Sequence, residues 1–323
     1  MVEPPPSFSC PRCGAPRIEA PECPRCGVIY ARAKPLVTAK PPVIDTPTVA
    51  SISSTAESEA EFTPASIEKI DRELELDIRI WAIPVTLVLA KMAMAIDFLH
   101  SLSRIFLSMW VHELGHAVTA WFCGFMAFPG PWVTPVFETR NLFVTMVLAG
   151  VLLWIAFRGF TLRRPWLVVG AVILLGLQVK GTFATDPTTA RMLIIFGGDG
   201  GMLVLGTLLM MTMCIDADSQ IHRGWLRWGF LVIGAVAFMD ALDTWWTALK
   251  DPSTIPLGEI EGIAHSDPSV LLDEYRWNPY ELTHRYLRLA GACGVALGVA
   301  YVYGWREARA RVAEMEKAKR KSG

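Results

Sequence analysis

Two histidines flank a glutamate in Ser108–Met109–Trp110–Val111–His112–Glu113–Leu114–Gly115–His116–Ala117–Val118, a largely apolar run. On a helix, imidazoles four residues apart leave the same face and together can hold one divalent ion. Glu113, one position round, then reaches the water that such an ion activates and can take its proton. Soluble helices produce the H-E-x-x-H pattern by chance, so the setting matters. Ionisable side chains in a membrane-grade segment are costly to keep, and they mark function by default. The rival account is a histidine pair hydrogen-bonded inside a helical bundle.

A catalytic zinc ion usually takes three protein ligands and a water. The leading third ligand is Asp199, in Phe196–Gly197–Gly198–Asp199–Gly200–Gly201. The glycines around it let backbone, metal or substrate come close. The bland alternative is a glycine-rich packing face with Asp199 hydrogen-bonded to a neighbour. Asp240 and Asp243 form a second acid pair at i and i+3. They could supply the third ligand, accept a hydrogen bond from a ligand histidine, or simply mark a helix end at the interface. Asp97 and His100 share a face just before the histidine motif and read as a satisfied polar pair. His222, His265 and His284 fall in loops or at a segment edge and carry no assigned role.

His112–Glu113–Leu114–Gly115–His116–Ala117 in a hydrophobic helix resembles the zinc site of the site-2 protease group of intramembrane metalloproteases. The resemblance covers residues 100 to 215. It implies that His112, His116 and Asp199 hold one catalytic Zn2+ while Glu113 acts as general base. It also implies a loop asparagine at the oxyanion, for which Asn141 is the match. The chain departs from the group in two respects. Two hydrophobic segments, not one, separate the H-E-x-x-H helix from Asp199, and there is no PDZ-like insertion.

Seven cysteines divide into two sets. Cys10, Cys13, Cys23 and Cys26 form C-x2-C-x9-C-x2-C, two tight knuckles whose four thiolates close a tetrahedral structural zinc site. So short a segment buries little core, and the metal would supply its folding free energy. Two disulfides are the rival pairing, but knuckle spacing and a reducing compartment favour zinc. A closed site does no chemistry, so this head reads as a docking module for a protein partner. Cys123, Cys214 and Cys293 are single residues in apolar segments and read as small buried hydrophobes.

The elements that must position these groups follow from the hydropathy. Of 323 residues 52% are hydrophobic and 19% charged, with twelve tryptophans, and the mean hydropathy is +0.37. Such a chain is an all-α polytopic membrane protein with a small N-terminal zinc ribbon on a flexible linker. Six to seven hydrophobic segments are expected from the candidates 78–99, 101–125, 140–157, 165–184, 190–215, 226–249 and 286–305. Each approaches the ~20 residues that cross a bilayer. The expected organisation is a zinc ribbon at 1–30, a disordered Pro/Ala/Thr/Ser linker at 31–65 and an amphipathic juxtamembrane helix at 66–77. The transmembrane domain follows at 78–305, then a basic tail at 306–323. The opening Met1–Val2–Glu3–Pro4–Pro5–Pro6 has no charged or apolar signal region, so no cleaved signal peptide is expected. The net charge of -1 and the lack of a basic stripe give no nucleic-acid partner.

Arg158, Arg163 and Arg164, together with the basic tail, place one loop and the C-terminus in the cytoplasm. The long acidic connection from 250 to 285 belongs opposite. Seven full crossings would put the zinc ribbon outside, whereas a four-thiolate site belongs in the reducing cytosol. One segment in 78–139 is therefore expected not to cross, with Phe128–Pro129–Gly130–Pro131–Trp132–Val133–Thr134–Pro135 as a re-entrant loop lining a wet cavity. The expected location is a bacterial inner membrane with both termini cytoplasmic. The expected function is zinc-dependent cleavage of a transmembrane or membrane-adjacent segment of another protein. A catalytically silent scaffold is one alternative. The other is metal transport or sensing through Asp97, His100, Asp240 and Asp243.

Overall fold

The computed structural model describes residues 64–214, 226–260 and 264–322. The four-cysteine ribbon, nearly all of the linker and His222 lie outside these residues. Within them the chain is helical apart from two short antiparallel hairpins. Four helices are long and apolar enough to cross a membrane, or five if one bent pair counts as a span. The protein is thus an all-α membrane-associated protein, with fewer candidate spans than the six to seven expected.

The difference begins at the N-terminal end. Helix α1 runs unbroken over Pro64–Met94, because nothing at residues 77–78 stops a helix. The amphipathic stretch and the first hydrophobic segment are one element, with Pro84 inside it. The chain then turns through 115° at residues 95 and 96. It continues as α2 (Asp97–Ser103), a π-helical turn (Arg104–Ser108) and α3 (Met109–Phe122). The expected segments 78–99 and 101–125 are therefore the two limbs of one bent pair. Phe128–Pro135 joins two strands, β1 (Phe125–Ala127) and β2 (Val136–Arg140), as the tip of a hairpin.

Helices α4 (Leu142–Thr161) and α5 (Pro165–Val179) form an outer hairpin, and α5 ends in a π turn at Lys180–Ala184. Their outward faces carry exposed Phe143, Trp154, Phe160 and Val172, apolar surface on a scale that suits lipid and not water. The inner body is α6 (Pro187–Met211), α7 (Leu226–Lys250) and α9 (Pro279–Ser322), closed by α1. Between α7 and α9 lie a second hairpin, β3 (Glu259–Ile260) with β4 (Ala264–His265), and the short helix α8 (Asp267–Asp273).

The core centres on Met202, Leu203, Leu231, Trp245, Leu271, Leu282 and Tyr286, each less than 2% exposed. A smaller cluster joins α3 and the first hairpin to the start of α6 through Ala117, Ala120, Phe125, Ala190 and Ile194. Helices α3 and α6 touch backbone to backbone. A Cβ on Gly201 would stand 2.3 Å from Gly115 Cα, and one on Gly115 would stand 2.2 Å from Gly197 O. Small residues spaced this way allow such contact between helices.

Candidate metal centre

The α3–α6 contact sets His112 and His116 against the glycine-rich turn of α6. His112 Nε2 lies 3.1 Å from His116 Nε2. Each also lies 3.0 Å from Asp267 Oδ2, at the first residue of α8. These three atoms form a nearly equilateral triangle. Ligands held tetrahedrally at zinc bond lengths stand about 3.3 Å apart, so the triangle is within a few tenths of an ångström of that geometry. His112, His116 and Asp267 are the one such metal-capable group among the described residues.

The outer nitrogens fix the tautomers. His112 Nδ1 is 3.0 Å from Asp199 Oδ1, and His116 Nδ1 is 2.7 Å from the carbonyl oxygen of Ile194. A carbonyl only accepts, so His116 Nδ1 must carry its proton, and an ionised Asp199 demands the same of His112. Both Nε2 lone pairs then converge on a buried carboxylate oxygen that has no hydrogen-bond donor of its own. Three electron-rich atoms about 3 Å apart are tolerable only with positive charge between them, either a bound cation or protons on the imidazoles. Burial alone would raise the Asp267 carboxyl; protonated imidazoles would outweigh it and hold the group below the usual carboxylate range.

Asp199, expected as the third ligand, stands elsewhere. It meets His112 at the outer nitrogen, and its other oxygen accepts a hydrogen bond from Trp245 Nε1 at 2.9 Å. The reason lies in the helix: Gly198, not Asp199, faces His112 Nε2 and Asp267 Oδ2. A Cβ on Gly198 would be 2.5 Å from His112 Cε1 and 2.7 Å from Asp267 Oδ2. Trp245 in turn stacks on Tyr286 and Tyr286 on Phe196, with ring centroids 4.2 and 4.3 Å apart. The acceptor for His112 is therefore held by rigid aromatic packing.

Asp267 reaches the centre through a firmly anchored short helix. The Ser266 side chain caps α8, and the Ser269 hydroxyl accepts from Gly258 N–H at 2.9 Å. Leu271 is fully buried, and Trp277 N–H donates to its carbonyl. Sequence reasoning took this stretch as part of an acidic loop. The available sign was Ser266–Asp267–Pro268, a helix start carrying an acid, but no spacing ties it to His112.

Glu113 is 4% exposed. Thr134, at the hairpin tip, lies with its hydroxyl 2.7 Å from Glu113 Oε2 and 2.9 Å from the Glu113 carbonyl oxygen. Its single proton serves one of these at a time. The hairpin is aimed by Trp121 Nε1, which donates to the Ala127 carbonyl, and by Gly124 at φ +82°, where a side chain would be strained.

The remaining expected residues are occupied elsewhere. The Asn141 amide oxygen accepts from Phe143 N–H and caps α4. Asp240 pairs with His100 and Arg104, each at 3.1 Å, and Asp243 pairs with Lys91. These pairs clamp α7 to α1, α2 and the π turn, and neither acid belongs to the metal-capable group. His100 thus pairs with Asp240 and not, as expected, with Asp97. No known protein family, curated protein or solved structure matches the chain.

Proposed function

We propose that the protein is a zinc-dependent endopeptidase acting on a transmembrane or membrane-adjacent segment of another protein. The observation that carries this reading is the triangle of His112 Nε2, His116 Nε2 and Asp267 Oδ2, with buried Glu113 on the same helix. The donor set of two imidazoles and one carboxylate suits catalytic zinc and leaves a coordination position for water. In this reading Asp267 takes the ligand place first given to Asp199. Asp199 becomes a positioning residue, holding His112 in the tautomer and orientation that ligation needs.

A zinc ion held there would lower the pKa of a water toward neutrality and polarise the scissile carbonyl. Glu113 takes the proton from the attacking water and returns it to the leaving amine. Thr134 steadies the Glu113 carboxylate through Oε2 and leaves the other oxygen for proton transfer. The apolar surroundings keep bulk water from screening these charges. The substrate segment must be locally unwound, because a helical peptide bond is engaged in its own hydrogen bonds. In this reading Cys10, Cys13, Cys23 and Cys26 would hold a second, structural zinc and dock a protein partner, with both termini in the cytoplasm.

The test is the metal content of the purified full chain beside its His116→Ala variant. Two zinc ions per chain falling to one supports both sites. One zinc in each leaves only the ribbon and overturns the reading. Peptidase activity in proteoliposomes, present in the native chain and absent in Glu113→Gln, separates an enzyme from a silent scaffold.

A further inference from the structure

A cleft of about 430 Å³ opens between α3, the end of α5 and α6, on the other side of the glycine crossing from the triangle. Its walls are mostly apolar, among them Leu174, Leu177, Leu193 and Val204, and Lys180 is the sole charged side chain lining it. The two helices that carry these residues are both long and apolar enough to span a bilayer. The turn joining them, at residues 185 and 186, must therefore lie at a membrane boundary, and Lys180 and Thr185 sit beside it. From there the cleft follows α6 as far as Leu205. Eighteen residues beyond Pro187 rise roughly 27 Å, so the cleft reaches through most of a hydrocarbon core ~30 Å thick.

The charge at the mouth has a definite sign. Lys180 makes no ion pair among the described residues. Arg140 spends its guanidinium on the carbonyls of Cys123, Gly181 and Thr185, which leaves its charge uncompensated by any carboxylate there. The nearby acid, Asp186, is engaged as the N-cap of α6 through Thr189 N–H. An apolar cleft that enters the hydrocarbon core from a boundary carrying two cationic side chains matches one kind of occupant.

We propose that this cleft binds an acyl chain of an anionic membrane phospholipid, with its phosphate at Lys180. The proposal needs no hydrolytic activity and stands apart from the metal centre. It is tested by native mass spectrometry of the full chain released from bilayers of mixed phosphatidylglycerol and phosphatidylcholine. The native chain is expected to retain one phosphatidylglycerol. Val204→Trp and Leu177→Trp fill the cleft from opposite walls, and both should lose that lipid. Leu208→Trp, on an exposed part of α6 that does not line the cleft, should keep it. Lys180→Gln should cut the preference for the anionic lipid by about fivefold. Retention in both cleft-filling variants overturns the proposal, and so does an unchanged preference in Lys180→Gln. A benzophenone placed at Leu193 in native membranes should crosslink to lipid; crosslinking to polypeptide alone would assign the cleft to a protein segment instead.

Discussion

Asp199 and Asp267 approach His112 from opposite edges of its ring, Asp199 at Nδ1 and Asp267 at Nε2, each 3.0 Å away. The two carboxylates therefore have different consequences when neutralised. Asp267→Asn should reduce metal at the histidine site to a trace. Asp199→Asn should keep the metal but weaken its binding by about 10- to 100-fold, the usual effect of losing a ligand's outer partner. Competitive titration against a chelator measures both. Equal losses would show that the two acids share one role.

Glu113→Gln should retain full metal occupancy and lose peptidase activity by at least ~10²-fold, the lower end of what general base catalysis contributes. Thr134→Val should lower activity less, because it removes an orienting hydrogen bond and leaves the base in place. Single-turnover cleavage of a reconstituted substrate segment ranks the two.

Protons compete with metal for the same three atoms. Cation binding requires both Nε2 atoms unprotonated and Asp267 ionised, so metal affinity should fall as pH drops and the imidazoles take up protons. Zinc retention measured between pH 5 and 8 checks the sign, and an affinity rising toward low pH would exclude a two-histidine site.

The helix crossing gives a stability prediction with an internal control. Gly201→Ala inserts a Cβ 2.3 Å from Gly115 Cα and should cost on the order of 1–3 kcal/mol, the usual penalty of overpacking, lowering Tm in detergent. Gly150→Ala has nothing within 4 Å and should leave Tm unchanged or raise it slightly.

Asp240 is 1% exposed and pairs with Arg104 and His100. Asp240→Asn removes the partner of an arginine that solvent still reaches, and should destabilise by about 1 kcal/mol. Metal bound per folded chain should stay the same, whereas a metal-handling role for this acid would lower it.

Much of this arrangement was written in local pattern. The spacing of His112 and His116 and the apolar setting were legible, because helical period and hydropathy act over short stretches. So was the small-residue run around Asp199, although its meaning shifted: the glycines bring α6 against α3, and Gly198 takes the place facing His112 and Asp267. The third corner of the triangle was not legible. Asp267 arrives through a fold-back of the connection after α7, governed by the packing of Leu271 and Trp277, and no sequence period records that. The bend at residues 95 and 96 was likewise hidden, since apolar composition continues across it. Asp240 read as an interfacial acid because its partners, His100 and Arg104, come from a distant helix.

The place of Asp267 in the chain has a consequence for biosynthesis. Ribosomes deliver α3 and α6 long before α8, so a nascent chain ending at α7 presents two imidazoles without their carboxylate. On the proposed reading, metal capture becomes a late event, timed by emergence and docking of the last quarter of the polypeptide, and a product truncated after α7 would be inserted yet inert.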